Sequence, residues 1–208
     1  MYVMPSRNVI REFASDNYYH IYNRGVAKQE IFLEAADKQK FLDIIARHLD
    51  PSDTSTRYDG VEYCKFDQDI ELLCYCLMRN HFHMLVYLVG DTGAVSELMR
   101  SIQTAYTMYF NKKYKRVGTL FQGVFKASRI SDESYLQHIT RYIHLNPRTY
   151  KTYHYSSLRF YLGAAAPLWL RPERMLGSFE EGEYIVFLED YEAEARIRDT
   201  LKCELADI

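Results

Sequence analysis

Alternating, unbroken and helically spaced apolar positions follow one another along this chain, and each pattern predicts a different element. The first 16 residues show no periodicity and are expected to form a loosely attached arm. Tyr18 to Asn23 is aromatic and β-prone, and Arg24-Gly25 closes it, which predicts a strand. From Asp37 to Leu49, the positions Phe41, Leu42, Ile44, Ile45 and Leu49 have helical spacing, with Pro51 just beyond. Pro51 to Gly60 is rich in Ser, Asp and Thr and reads as a loop. Two apolar runs of strand length follow, Ile70–Leu77 and His81–Leu88, and the short polar break Met78-Arg79-Asn80 makes them a hairpin.

Between Ala94 and Lys113, Val95, Leu98, Met99, Ile102, Ala105, Tyr106, Tyr109 and Phe110 recur at three and four, a long amphipathic helix. Gly118 to Ser128 interleaves basic and aromatic residues and reads as extended or looped. Ser131-Asp132-Glu133 then offers an N-cap and first-turn acids, and Pro147 a stop, which frames another helix. Leu136, Ile139 and Ile143 form its core stripe; His138, Tyr142 and Asn146 lie on the adjoining one. A short helix is expected over Ser156–Leu162 and a C-terminal one from about Glu180 onward. Helices alternating with strands around a central hairpin favour a layered α+β domain over a doubly wound parallel sheet.

Within this pattern one triplet stands out, His81-Phe82-His83 at the start of the second hairpin strand. Side chains alternate along a strand, so both imidazoles share a face, about 7 Å apart, and each can offer a nitrogen to one cation. About 60 residues on, Tyr142 and Asn146 sit one turn apart on a helix. If that helix lies on the imidazole face, Asn146 completes a set of two nitrogens and one oxygen, suited to Mg²⁺ or Mn²⁺ holding a phosphate. Tyr142 then stands about 5–6 Å up the helix, where its phenol can attack that phosphate and form a phosphotyrosine bond. Taken alone, Asn146 also suits a helix cap and Tyr142 a packing position, and with 18 other tyrosines spacing does not choose among them. Pro147 is expected to push Asn146 away from helical backbone angles.

Composition changes the picture in two places. The 19 tyrosines and 11 phenylalanines supply either half-buried packing or stacking platforms for bases. The net charge of −2 conceals a basic middle: residues 100–130 carry seven Lys or Arg and no acid, whereas the chain from Ser178 on carries ten acids against three bases. That asymmetry suits an anionic partner at the middle. Lys112, Lys113, Lys115 and Arg116 are candidate phosphate contacts, with Tyr109, Phe110, Tyr114 and Phe121 interleaved as candidate base platforms. Of the four cysteines, Cys74 and Cys76 fall inside an apolar run and read as packed thiols; no CxxC pair occurs. With no secretory signal and no apolar run of 18 residues, the chain is expected to be soluble and cytoplasmic.

His81-Phe82-His83, the Tyr-His-x-x-Asn-Arg-Gly segment from Tyr19 to Gly25 and Tyr142-Ile143-His144-Leu145-Asn146-Pro147 together resemble the single-tyrosine transposases of the His-hydrophobe-His superfamily. The likeness is greatest to REP-associated tyrosine transposases, and it runs from about Tyr18 to Leu162. It implies a ferredoxin-like antiparallel sheet with helices packed on it, and divalent-metal-dependent cleavage and rejoining of single-stranded DNA at hairpins. It assigns Tyr142 as the nucleophile, leaving a 5′-phosphotyrosine and a free 3′-OH, with His81, His83 and Asn146 as metal ligands. Gln122, Lys126 and Arg129 join the basic residues as expected DNA contacts, but Val124 replaces an arginine usual in the family motif. A catalytic domain over residues 1–163 and an acidic helical appendage over 164–208 are expected, as monomer or homodimer, with no small-molecule substrate. Two other readings stay open. One is a protein that binds palindromic DNA without cutting it; the other is a zinc hydrolase built on His81 and His83, which requires a third His, Asp or Glu ligand.

Overall fold

A computed structural model describes residues 12–190. Four strands and six α-helices follow in the order β1 (Asn17–Arg24), α1 (Ala35–Leu49), β2 (Ile70–Leu77), β3 (His81–Leu88), α2 (Ala94–Tyr114), β4 (Lys126–Ile130), α3 (Glu133–Leu145), α4 (Leu158–Tyr161), α5 (Glu173–Leu176) and α6 (Glu183–Glu189). The strands make one antiparallel sheet in the order β2-β3-β1-β4. With α1 and α2 on a single face, the first six elements have the βαββαβ connectivity of the ferredoxin-like fold. No described helix is long and apolar enough to cross a membrane. Most of the expected arm, and the chain beyond Asp190 including Cys203, lie outside the described residues.

Both faces of the sheet are covered, which explains why β2 is apolar without alternation from Leu72 to Leu77. On one face Ile21, Phe82, Met84 and Val86 pack against Phe41, Ile45, Leu98, Ile102 and Tyr106 of α1 and α2. On the other, Cys74, Cys76 and Leu85 meet Leu136, Ile139 and Ile143 of α3, the stripe read from the sequence. Asp132 caps α3, its carboxylate accepting from the Tyr135 amide.

Three features of the fold were not anticipated. β4 is a strand of the sheet, paired along β1 from Tyr18↔Ile130 to Tyr22↔Lys126, where the sequence suggested only extended or looped chain. Asn146 keeps helical angles (φ −57°, ψ −43°) despite Pro147. The pre-proline preference is steric and soft, and here the Asn146 side chain is held by the contacts described below. Finally, β2 lies at the sheet edge, yet its backbone is paired. Leu77 N donates to Tyr155 O, Ser157 N to Tyr75 O and Arg171 N to Leu72 O, so chain from beyond α3 covers that edge.

Candidate active site

The β1–β3 register builds the floor of the site. Arg24 pairs with His81 and Tyr22 with His83, and alternation puts His20, Tyr22, Arg24, His81 and His83 on the face that α3 covers. Each strand histidine has its own support. His81 Nδ1 lies 2.6 Å from Asn80 Oδ1, and the Asn80 amide is oriented by donating to Lys28 O. The His81 proton therefore belongs on Nδ1, which leaves a lone pair on Nε2. His83 is fully buried; its Nδ1 lies 2.9 Å from His20 Nε2, and its Nε2 has no partner.

Across these rings, α3 brings down Tyr142 and Asn146. Asn146 Oδ1 is 3.3 Å from His81 Nε2, and the Tyr142 ring centroid is 5.3 Å from that of His83 with the planes at 82°. A hydrogen bond from Asn146 favours the Tyr142 phenolate, but burial dominates and pushes the phenol up to about 12. Burial likewise lowers His81 to about 4 against a raising contribution from Asn146, with the Arg24 charge lowering it further. At neutral pH the site therefore presents a neutral phenol and neutral imidazoles.

This electrostatic arrangement suits a cation. With His81 neutral and protonated on Nδ1, its Nε2 lone pair faces the Asn146 carbonyl lone pairs with no proton between them. One cation with metal–ligand bonds near 2.1 Å would satisfy two acceptors at that separation, and His83 Nε2, buried without a partner, is the nitrogen that His83 could add. The set of two imidazoles and an amide oxygen thus fits a divalent ion. Among the described residues, no group of three or more His, Cys, Asp or Glu side chains is placed to hold a metal. The third ligand that the zinc-hydrolase reading requires is therefore missing among them.

The family model for IS200-like transposases matches residues 13–146, a span that opens before β1 and ends on Asn146. This chain belongs to the IS200-like transposase family. Among solved structures, a REP-associated tyrosine transposase bound to a REP hairpin matches with a TM-score of 0.53 and 13% identity, covering 76% of this chain and 87% of that one. At that identity the likeness establishes the shared α+β fold. No curated protein sequence matches.

Within this transposase fold the expected DNA contacts separate into groups. Gln122 accepts from Arg24 Nε and Lys126 lies over the Tyr22 ring, so both flank the histidine site. Lys112 and Lys115 are exposed at the end of α2. Lys113 is committed elsewhere, paired with Glu34 and with the buried Asp37, while Arg116 donates to Gln29. Arg129 donates to Asn17 and belongs to the opposite face of the sheet, in register with Tyr19. Val124 is exposed. His138, on the Tyr142 stripe, contacts Arg141 and Phe187.

Sequence reasoning missed His20 and Arg24 as parts of the site, although both stand in the Tyr-His-x-x-Asn-Arg-Gly segment. Alternation puts them on one face with Tyr22; what was lacking is the pairing that sets this face beside the two histidines. Arg24 Nη1 is buried without a partner, directly across from His81.

Proposed function

We propose that this chain is a divalent-cation-dependent DNA strand transferase that cleaves and rejoins single-stranded DNA at hairpins through Tyr142. The observation that carries the reading is the convergence of the Tyr142 ring and the Asn146 amide on the His81–His83 pair. His81, His83 and Asn146 would hold Mg²⁺ or Mn²⁺. Bound there, the ion would supply a Lewis acid that draws charge from a phosphate oxygen.

The chain's own groups do the rest. Tyr142 Oη forms the new bond to phosphorus, and the bond to the 3′ oxygen breaks. The phenolic proton passes to solvent water as the bond forms, and the departing 3′ oxygen takes one from water to become the free hydroxyl, so the protons balance. A 5′-phosphotyrosine keeps the energy of the phosphodiester, so an incoming 3′ hydroxyl can reverse the step. Asn146 would serve twice, its oxygen holding the cation and its amide donating to the phenol. Arg24, with its unpartnered Nη1 beside His81, is positioned to take a phosphate oxygen, and Gln122 orients it. Lys126 extends this cationic border, and Lys112 and Lys115 offer further phosphate contacts. The hairpin bound by the structurally similar transposase supports a folded single strand as substrate.

Incubation with a labelled hairpin oligonucleotide and Mn²⁺ should give a denaturant-resistant protein–DNA adduct. Tyr142→Phe should abolish the adduct and keep DNA binding, since the ring remains. An undiminished adduct in that variant would move the nucleophile elsewhere. Salt-sensitive binding with no adduct in the unaltered protein would favour a palindrome-binding protein, and cleavage without a covalent link a hydrolase.

A further inference from the structure

His20 is buried, and its ring runs nearly parallel to that of His83, at 19° and 5.1 Å between centroids. The His20 Nε2–His83 Nδ1 contact of 2.9 Å joins the two rings, while the outer nitrogens, His20 Nδ1 and His83 Nε2, are buried without partners. Two neutral imidazoles carry two protons, and one of these occupies the shared bond. The other must sit on an outer nitrogen with no acceptor, either on His83 Nε2 or on His20 Nδ1. Only the second arrangement leaves His83 a lone pair toward the site.

We infer that His20 is a positioning residue for the cation site: it accepts the His83 Nδ1 proton and so fixes His83 as the tautomer whose Nε2 binds the metal. The inference rests on the cation reading given above. His81 receives the same service from the Asn80 side-chain carbonyl, so each histidine ligand has its own acceptor behind it. Such supporting acceptors fix the ring's orientation and raise its basicity, and their loss typically lowers metal affinity by about 10–100-fold. An imidazole in this role differs from a carbonyl in that it can also donate. The cation therefore selects one of two proton arrangements, the one in which His83 and His20 are both protonated at Nδ1.

The test is Mn²⁺ affinity without DNA, by titration calorimetry or by loss of the free-ion electron paramagnetic resonance signal, in the full-length protein. His20→Phe keeps the ring volume and removes the acceptor, and should weaken Mn²⁺ binding about 10–100-fold. His20→Gln, whose carbonyl reaches about as far as Nε2, should stay within about threefold of the unaltered protein. His20→Asn, one bond shorter, should behave like the Phe variant. Gln and Asn differ little in polarity, so their comparison stands even if His20→Phe fails to fold. Thermal unfolding of each metal-free variant reports its packing separately. With Mg²⁺, ¹⁵N shifts should show His83 protonated at Nδ1 and His20 at Nδ1. Unchanged Mn²⁺ affinity in His20→Phe and His20→Asn, or equal losses in Gln and Asn, would overturn the role given to His20 while leaving the cation site standing. Failure of the unaltered protein to bind Mn²⁺ would instead remove the cation reading, and this inference with it.

Discussion

At the scale of single residues, the site separates what alternation discloses from what only strand pairing can. His81 and His83 were readable because a strand has a period of two, and Tyr142 with Asn146 because a helix brings i and i+4 together. Neither rule brings Arg24 beside His81, since that placement belongs to the β1–β3 register. Its guanidinium is fixed on one side by Gln122, has a buried, unpartnered Nη1, and lies close enough to lower the His81 pKa. If Arg24 stabilises charge that builds on the phosphate during transfer, Arg24→Ala should slow adduct formation by about 10²–10³-fold, the usual cost of removing one such donor. Mn²⁺ affinity measured without DNA should not fall, because Arg24 is not a ligand and its positive charge opposes the ion. Arg24→Lys should restore little, lacking the planar fork that grips two oxygens. Comparing single-turnover adduct rates with the metal titrations checks this. Parallel losses in both would show that Arg24 acts by holding the histidines in place.

Among the elements, the basic end of α2 has a second use. Asp37, fully buried in the first turn of α1, accepts from the Leu33 and Glu34 amides, from Tyr109 and Tyr114, and from Lys113. A cation that looked like a DNA contact in the sequence instead ties the start of α1 to the end of α2, and two of the candidate aromatics, Tyr109 and Tyr114, meet the same carboxylate. Charge clustering located the basic patch, but could not tell which of its members meet a carboxylate brought from residues far back in the chain. Burial acts to raise the Asp37 pKa; hydrogen bonds from Lys113, Tyr114 and the two amides outweigh it and leave the group below its ordinary value. A depressed folded-state pKa contributes stability above the unfolded value near 3.8, and that contribution is lost as pH falls through the folded value. Asp37→Ala should therefore cost about 1–3 kcal/mol at pH 7, since it takes the acceptor away from the donors gathered on it, while Lys113, which is partly exposed, returns to water. The gap from the unaltered protein should narrow as pH falls below the unfolded value near 3.8. Urea unfolding at pH 7 and in acid reads both values, and a gap independent of pH would assign the loss to packing alone.

For the whole molecule, the β2–β3 hairpin and both helices of the βαββαβ unit follow from patterns legible in the sequence and the sheet from the family resemblance, yet the tail from residue 164 gave only an acidic composition and a helical stripe. Its described part wraps the β2 edge and feeds both faces of the sheet. Leu170 enters the core shared with α1 and α2, whereas Met175, Tyr184 and Leu188 close the core under α3. Polar contacts fasten the same path: Arg171 N donates to Leu72 O, Arg174 pairs with Glu71, and Arg141 donates to Phe187 O. Buried His144, two residues before Asn146, lies 2.6 Å from the Tyr184 hydroxyl through Nδ1 and 2.8 Å from Ser157 Oγ through Nε2. Composition could not show this, because acids on the solvent side of a short helix look the same whether or not its other side is buried. The four apolar side chains, at about 1.5–3 kcal/mol each, contribute about 6–12 kcal/mol before the entropy of ordering the segment is subtracted. That is comparable with the whole stability of an ordinary domain, about 5–15 kcal/mol. A chain ending at residue 163 should therefore lose cooperative thermal unfolding and, because α3 carries Tyr142 and Asn146, its Mn²⁺ site and adduct formation as well. Ending the chain at residue 190 keeps every contact named here and should preserve all three. If the 1–163 chain unfolds at the temperature of the full protein, the tail is a separable appendage and α3 is held by the sheet alone.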